Sequence, residues 1–259
     1  MNFRMPSIFR SGDTEIRQLF ATLALAMLAL SSCASASDPL VTHDPLEPMN
    51  RGIHAFNRGV DQTLLRPVSN AVSGNGSGFM GERIGDFSDN LGKPADVLNN
   101  VLQLRLIKAT ENTLRFAFNV VFGLGGTFDV ASAAGMPENK TDFGETLHIW
   151  GIGEGAYLEV PLFGPTTERD LLGDIVDWAI DPWDRVLQSP ESYIPLGAKV
   201  ASRVGDRGRY SETLDSVLYD SADSYAQTRL LYLQNRRHDL GQTADDSTFV
   251  DPYEDPYGQ

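Results

Sequence analysis

The sequence contains a single cysteine, Cys33, in 259 residues. Because no second thiol is available, an internal disulfide cannot contribute to the fold. Basic residues are also scarce, since 21 lysines and arginines face 35 aspartates and glutamates and leave a formal net charge of −14. A chain this acidic is repelled by phosphate backbones, and no basic stripe with interleaved aromatic residues occurs. Nucleic-acid binding is therefore not expected.

Linear motifs of catalysis and metal binding are absent as well. The sequence has no H-E-x-x-H, G-x-S-x-G or G-x-x-x-x-G-K-[ST] pattern. The histidines are scattered without a second ligand-type residue at tight spacing, so we expect structural or surface roles for them. They are His43, His54, His148 and His238. We predict no catalytic residue, no bound metal and no dissociable cofactor.

One glycine pattern, GIGEGA at residues 151–156, fits the fingerprint of dinucleotide-binding sites and follows the strand-like TLHIW. Such a site also requires a helix whose first turn meets the pyrophosphate. Here YLEVPLFGP follows, and its alternation with Pro161 and Pro165 predicts an extended segment. We therefore reject the fingerprint and assign these glycines to a turn or a close backbone approach.

The lone cysteine ends a short apolar run, LALAMLALSSCASAS, at residues 23–37. Arginines precede this run, residues 19–30 are apolar with only Thr22 interrupting, and small residues follow, which is the layout of a secretory signal. The run is shorter than the roughly 20 residues that a helix needs to cross a bilayer. The segment is thus predicted to target the chain and not to join its fold.

Two cleavage sites compete in this segment. Ala34-Ser35-Ala36 suits an ordinary signal peptidase, which would discard the cysteine, whereas LSSC at residues 30–33 resembles a bacterial lipobox. In the second case the Cys33 thiol takes a diacylglyceryl group and the exposed amine is acylated as well. Spacing, small flanking residues and the missing disulfide partner favour the lipobox. We predict a signal peptide at 1–32, a covalent lipid on Cys33 and a tether at 33–43.

The two ends of the remaining chain differ from its middle. Residues 241–259 are acidic, contain two prolines and show no helical or strand period, which predicts a disordered tail. The near-repeat DPYEDPY in this tail leaves open a docking motif. A glycine-rich loop is predicted at residues 74–78. Residues 44–240 are predicted to form one mainly α domain of amphipathic helices with irregular Gly- and Pro-rich loops.

Three apolar stripes at helical spacing are predicted to be core. In residues 50–68 the stripe consists of Ile53, Phe56, Val60 and Leu64, and Pro67 is expected to close the helix. A second stripe contains Leu171, Leu172, Ile175, Trp178 and Ala179, with Glu168 and Asp170 favouring a helix start. A third runs through a single long helix at residues 211–239, capped by Ser211 and ended by Arg236 and Arg237; it contains Leu214, Leu218, Tyr225 and Tyr232.

The segment TLRFAFNVVFGLGGTFDV at residues 113–130 is apolar on nearly every side between positions 116 and 124 and then meets three glycines. It is too short to span a bilayer and too apolar to lie half in water. Two interpretations stay open: a buried core helix, or a helix that enters one leaflet and turns back. In the second case the candidate contacts with acyl chains are Phe116, Phe118, Val121, Phe122 and Leu124.

Several long motifs, read in order, resemble the MlaA (VacJ) lipoproteins of Gram-negative bacteria along nearly the whole chain after the lipobox. These motifs are DPLEPMNRGIHAFN at 44–57, NLGKPADVLNNVLQ at 90–103, TLRFAFNVVFGLGGTFDVA at 113–131, DFGETLHIWGIGEGAYLEVPLFGPTTERD at 142–170 and RHD at 237–239. The match is weakest in the tether, at residues 72–88 and in the tail.

The resemblance implies a lipid-anchored helical ring, set in the outer membrane on its periplasmic side, around a channel. It also implies a function, which is to remove mislocalised phospholipids from the outer leaflet, pass them to a periplasmic carrier and so maintain lipid asymmetry. The partners so implied are phospholipid, the outer membrane, a trimeric porin and the carrier protein. The alternative is an envelope scaffold lipoprotein that transports no lipid. A lipid hydrolase is disfavoured because no nucleophile motif occurs.

Overall fold

The computed structural model describes residues 44–73 and 78–242. The predicted signal peptide, Cys33 with its predicted lipid, the predicted tether, most of the glycine-rich loop and the tail from residue 243 onwards lie outside the described residues. The described part belongs to a single compact unit that begins at Asp44. The predictions for the two ends of the chain therefore stay predictions.

Helices dominate the described residues, as the sequence predicts. They are α1 (Glu47–Val60), α2 (Arg66–Ser73), α3 (Gly78–Leu102), α4 (Leu106–Phe122), α5 (Val130–Ala133), α6 (Phe143–Ile149), α7 (Glu168–Ile180), α8 (Trp183–Val186), α9 (Ile194–Arg209), α10 (Ser211–Asp215) and α11 (Ser224–Asp239). Two π-turns, Asp61–Leu65 and Ser216–Asp220, and one 3₁₀ turn, Glu191–Tyr193, complete the helical part. Strands β1 (Tyr157–Val160) and β2 (Gly164–Thr167) form an antiparallel hairpin.

Two helix ends differ from the prediction. Pro67 does not close the first helix, because the chain passes from α1 through the π-turn into α2 and the proline occupies the first turn of α2, where its missing N–H is tolerated. The long C-terminal helix is interrupted before Ser224, since the Asp223 carboxylate accepts the Ala226 N–H at 3.1 Å and so starts α11. Ser211 makes no capping hydrogen bond.

Other local predictions are confirmed. Helix α7 begins at Glu168, where the Thr167 hydroxyl accepts the Asp170 N–H at 3.2 Å. The predicted extended segment after the glycine pattern is β1, so no helix follows the glycines and the rejection of the dinucleotide fingerprint is confirmed. The segment TLHIW, in contrast, is not a strand, because most of it lies in α6, capped by Asp142.

The interior of the protein is polar. The buried apolar residues of the described part are Ala109, Ala131, Leu147, Ala156, Tyr157, Tyr225 and Leu233. The buried polar and charged residues form a longer set that includes Asn50, His54, Asp61, Asn99, Asn112, Arg115, Asn119, Glu159, Arg169, Asp170 and Arg207. Since a buried polar group is destabilising unless it is hydrogen-bonded, side-chain hydrogen bonds and ion pairs must hold this fold together.

The predicted core stripes are therefore partly wrong. Phe56 of α1 and Leu64 of the following π-turn are 52% and 56% exposed, while Asn50 and His54 of α1 are buried. On α7, Trp178 is 66% exposed and Asp170 is buried. The third stripe is closer to the prediction, because Tyr225 is buried and packs in the small apolar cluster with Tyr157 and Leu233. The helical period was correct, but on α1 and α7 polar residues face inward.

A buried ion pair in α3 predicts a pH dependence of stability. The Lys93 ammonium lies 3.1 Å from Asp96 and 2.9 Å from Glu138. Burial raises the pKa of Asp96 to about 6, although the charge of Lys93 and its hydrogen bond lower it. The folded chain thus holds the proton of the Asp96 carboxyl group more tightly than the unfolded chain does. The contribution of Asp96 to stability is therefore full below about pH 4 and is lost as pH rises towards 6.

Replacing Asp96 with asparagine should remove this contribution. The unfolding free energy of the wild type, relative to Asp96→Asn, should fall by about 2 to 3 kcal/mol between pH 4 and pH 6.5. Urea titrations at both pH values measure the difference. As a control, Asp89→Asn, at an exposed pair with Lys140, should keep the wild-type dependence. Equal slopes in the wild type and Asp96→Asn would contradict the assignment.

Candidate functional site

The predicted membrane-contact residues lie on the C-terminal half of α4 and in the turn that follows it. Val121, Phe122 and Leu124 are 68%, 64% and 75% exposed, whereas Phe116 and Phe118 are half-buried. Phe118 packs against Phe122 with ring centroids 4.7 Å apart. The segment is therefore not a core helix at positions 121, 122 and 124. The exposed group is continuous along the chain, and such apolar patches mark interaction surfaces.

The opposite face of α4 is buried and polar. Arg115 donates to the Met136 carbonyl at 2.8 Å and to Asp129 and Ser132 at 2.6 Å. Asn119 accepts the Ala131 N–H at 2.8 Å and donates to Asp129 at 3.0 Å. These bonds tie α4 to α5.

The Asp129 carboxylate is at the centre of these contacts. Desolvation raises the pKa of Asp129. Hydrogen bonds from Ser132 and Asn119 and the charge of Arg115 lower it further than that, so the pKa lies below its ordinary value. Sequence reasoning missed this polar face. Its signal was the spacing of Asn112, Arg115 and Asn119, which recur at three and four residues and so share one face of the helix.

A tight glycine turn directs Leu124 outward. The Gly123 and Gly126 N–H groups both donate to the Asn119 carbonyl, at 2.8 and 3.0 Å. Gly125 and Gly126 have φ of 74° and 91°, and Leu124 itself has φ of 51°. This left-handed run reverses the chain within a few residues, as the interpretation of a helix that turns back requires.

Gly123 allows no side chain in this turn. A methyl group there would lie 2.2 Å from the Phe128 carbonyl oxygen and 2.5 Å from that of Asn119. Gly123→Ala should therefore destabilise the fold by about 2 to 4 kcal/mol, as measured by urea unfolding. Gly92→Ala, in the exposed interior of α3 with no atom within 4 Å, should instead stabilise it by about 0.5 to 1 kcal/mol. A shift of the same sign in both variants would contradict this account.

The same exposure of apolar side chains extends beyond α4. The hairpin turn presents Leu162 and Phe163, which are 65% and 72% exposed, and the loop before α4 presents Leu104, at 85%, while Ile107, at 77%, lies in the first turn of α4. Asn57 holds the hairpin turn against α1 by accepting the Leu162 N–H at 2.7 Å and donating to the Val160 carbonyl at 3.0 Å. In residues 44–73 and 78–242, no helix combines the length and the hydropathy needed to cross a membrane.

The histidines of the described residues make separate contacts. His54 is buried between α1, β1 and α11, whereas His238 is exposed at the end of α11. Desolvation, together with the charge of Arg169, lowers the pKa of His148. Within the part of the chain that the structure describes, no group of three or more His, Cys, Asp or Glu side chains is arranged to hold a metal ion.

Comparison with known proteins identifies the family. Residues 42–239 match the family model described as MlaA lipoprotein. The chain belongs to the MlaA lipoprotein family. It is 33% identical over 227 residues to the intermembrane phospholipid transport system lipoprotein MlaA of Escherichia coli strain K12. This alignment covers 85% of this chain and 87% of the relative. The MlaA protein of Shigella flexneri is 33% identical over 225 residues, with the same coverage.

An uncharacterized protein of Rickettsia bellii strain RML369-C is also 33% identical, over 195 residues and 75% of each chain. A solved chain, described under "Structural basis for maintenance of bacterial outer membrane lipid asymmetry", superposes with a TM-score of 0.65 at 31% identity. The match covers 76% of this chain and 99% of that chain. The family assignment and the mainly α fold are thus confirmed by both sequence and structure.

Proposed function

We propose that this MlaA family member is a lipid-anchored outer-membrane component of an intermembrane phospholipid transport system. It removes mislocalised phospholipids from the outer leaflet and passes them to a periplasmic carrier. The relatives from Escherichia coli and Shigella flexneri are lipoproteins of such a system. The observation that carries the proposal is the distribution of side chains, with polar groups buried and large apolar groups exposed.

That distribution suits contact with a lipid leaflet. Removing apolar area from water stabilises a protein by about 25 cal/mol per Å². An apolar side chain that stays exposed to water lacks this stabilisation. In hydrocarbon the penalty disappears, and the polar groups are then best placed inside, where they bond to one another. Val121, Phe122 and Leu124 are the proposed acyl-chain contacts, and Phe118 packs against Phe122, whereas Phe116 is half-buried and packs against Trp183. Seating in one leaflet is proposed, because the left-handed glycine turn after Phe122 reverses the chain.

A polar interior also suits the transport step. A phospholipid that changes leaflets unaided drags its charged headgroup through hydrocarbon, at a cost of several kcal/mol. We propose that the protein forms a helical ring around a polar channel, which would remove much of that barrier. The movement is noncovalent, so transport itself needs no cofactor, metal or catalytic residue.

The anchor of the proposed system is the covalent lipid on Cys33. Several acyl chains, at ~0.8 kcal/mol per buried CH₂, hold a protein on a membrane far more firmly than one chain. Cys33→Ala should leave the precursor unlipidated, and mass spectrometry of the mature N-terminus tests this. A wild-type chain that begins at Ser37 without lipid would instead indicate cleavage after Ala34-Ser35-Ala36. A trimeric porin and a periplasmic lipid carrier are the proposed protein partners.

Outer-leaflet phospholipid labelling in cells with and without the gene tests the proposed function. Deletion should raise the labelled fraction, and the wild-type gene should restore it. Lipid analysis of the detergent-extracted protein separates transport from the scaffold alternative, since a scaffold has no reason to retain phospholipid. Unchanged labelling together with a lipid-free protein would overturn the proposal.

A further inference from the structure

Three side chains form a hydrogen-bonded chain at the junction of α1, β1 and α11, away from the candidate contact residues of α4. Ser224 Oγ lies 3.1 Å from His54 Nε2, and His54 Nδ1 lies 3.1 Å from Glu159 Oε1. The order of hydroxyl, imidazole and carboxylate is that of a nucleophile, its general base and the group that orients the base. His54 is 105 residues from Glu159 and 170 from Ser224, so a search for linear motifs does not detect it.

The hydrogen bonds select the tautomer that a general base needs. Glu159 Oε1 also accepts the Tyr157 hydroxyl at 2.8 Å. An ionised carboxylate only accepts, so the proton between Glu159 and His54 lies on Nδ1. In the neutral imidazole Nε2 is then unprotonated and accepts the Ser224 hydroxyl.

The imidazole is also held in place. Its ring meets Tyr225 edge-on, with centroids 5.7 Å apart and an interplanar angle of 77°. Glu159 is fixed from its backbone, because its N–H donates to Asn50 Oδ1 at 3.0 Å. His54 and Glu159 are 6% and 3% exposed, so both are shielded from bulk water. A base and an orienting group held in this way are preorganised for proton transfer.

Ser224 is 9% exposed, and together with His54 and Arg58 it lines an open groove of about 400 Å³. Arg58 Nη1 lies 3.5 Å from Ser224 Oγ and places a permanent positive charge beside the hydroxyl. The nearby Asp223 carboxylate does not cancel this charge, because Arg51 binds both of its oxygens at 3.0 and 2.8 Å. Arg58 can therefore stabilise a negative charge that develops on a substrate oxygen next to Ser224.

We propose that Ser224 and His54 are the catalytic residues of a carboxylic-ester hydrolase site, with Glu159 as the positioning residue and glycerophospholipids as the substrate class. Ser224 Oγ attacks the ester carbonyl carbon while its proton passes to His54 Nε2. The carbon–oxygen bond to glycerol breaks, and the leaving alkoxide takes that proton. Water then attacks the acyl-serine and gives one proton to Nε2, which returns it to Ser224. The products are a fatty acid and a lysophospholipid.

The groove that borders Ser224 is polar, and the Arg58 guanidinium in it suits an ester that carries a phosphate. A second open groove of about 430 Å³, with an apolar lining of Met49, Ile53 and Phe56, lies on the other side of α1 and does not border the serine. The choice of phospholipid rests on the proposed function, whereas the assignment of the three residues does not.

A fluorophosphonate probe tests the nucleophile independently of any lipid. The full chain, purified in detergent, should be labelled, and peptide mass spectrometry should place the adduct on Ser224. Ser224→Ala should abolish the labelling. Ser221→Ala is the matched control, since Ser221 borders the same groove but its hydroxyl donates to the Val217 carbonyl at 2.6 Å. An unlabelled wild type, or an adduct on another residue, would overturn the proposal.

Vesicles of phosphatidylethanolamine and phosphatidylglycerol test the reaction. The wild type should release fatty acid and lysophospholipid in equal amounts, and Ser224→Ala or His54→Gln should lower the rate by about 10³-fold or more. Glu159→Gln should lower kcat by about 10³- to 10⁴-fold with KM within about twofold of the wild type, and Glu159→Asp should restore part of the rate. Fatty-acid release that is absent in the wild type, or unchanged in Ser224→Ala, would refute the activity.

Transport is measured separately in the same strains. Ser224→Ala should keep its thermal unfolding midpoint, because the substitution leaves the His54–Glu159 pair in place. Outer-leaflet labelling of cells that carry Ser224→Ala should equal that of the wild type. If the wild type releases fatty acid but deletion of the gene leaves outer-leaflet labelling unchanged, the transport proposal has failed and the hydrolase proposal stands. If deletion raises the labelling but the wild type releases no fatty acid, the hydrolase proposal has failed.

Discussion

A Phe122→Asp protein should keep its fold and lose its affinity for lipid vesicles. Phe122 is 64% exposed, so a carboxylate at this position stays in solvent when the protein is free. In a leaflet the same charge would enter hydrocarbon, at a cost of ~2.5 to 3.5 kcal/mol on insertion scales. In a Cys33→Ala background, which lacks the proposed lipid, Phe122→Asp should therefore lower vesicle binding by about 10²-fold. Flotation with phospholipid vesicles measures the binding, and circular dichroism and limited proteolysis monitor the fold.

The matched control lies on the same helix. Thr110→Asp introduces the same charge at an exposed position in the N-terminal half of α4, outside the proposed acyl-chain contacts, and should leave vesicle binding close to that of the wild type. Phe118→Asp is a poorer probe, because Phe118 is half-buried. An unfolded Phe122→Asp protein would contradict the surface assignment. A folded one that binds vesicles normally would contradict the leaflet contact.

Arg115→Met should lower the free energy of unfolding more than a substitution at any exposed position. Arg115 is 2% exposed and donates to Asp129, Ser132 and the Met136 carbonyl, so methionine removes several buried hydrogen bonds at once. Breaking a buried ion pair by removing one partner typically costs 3–5 kcal/mol, and the partial exposure of Asp129 reduces that figure to about 3 kcal/mol here. The expected fall in Tm is about 6 to 12 °C.

Arg203→Met supplies the comparison for this variant. Arg203 is exposed on α9, so its replacement should change the unfolding free energy by less than about 0.5 kcal/mol. A loss in Arg115→Met no larger than that in Arg203→Met would show that the buried contacts of α4 contribute little net stability.

Local signals in the sequence were sufficient where the structure is set by neighbouring residues. The start of α7 at Glu168 needs only the Thr167 cap and early acidic residues, and β1 needs only its alternation. The break before α11 was missed, although Asp223 is a good cap, because the apolar spacing continues across it. When apolar residues keep a helical spacing on both sides of a capping residue, the spacing alone does not show that a new helix starts there.

The direction in which a helix faces could not be predicted in the same way. A helical period shows which residues share a face, but it does not show which face is buried. In water the apolar face turns inward, whereas next to hydrocarbon the polar face turns inward. Phe56 and Trp178 were accordingly assigned to the core, whereas they lie outside. The contact of Ser224, His54 and Glu159 was beyond any local rule, because it requires α11, α1 and β1 to meet.

The polar interior also determines how the protein responds to temperature. The heat capacity of unfolding comes mainly from apolar area that is newly exposed to water, while polar area reduces it. Many large apolar side chains of this protein are already exposed in the folded state, and few apolar residues of the described part are fully buried, among them the cluster of Tyr157, Tyr225 and Leu233. For the chain free of lipid, the heat-capacity change should therefore lie below the usual ~12–15 cal/mol/K per residue. Its stability curve is correspondingly broad and flat, so cooling weakens the fold less than it weakens one with an apolar core.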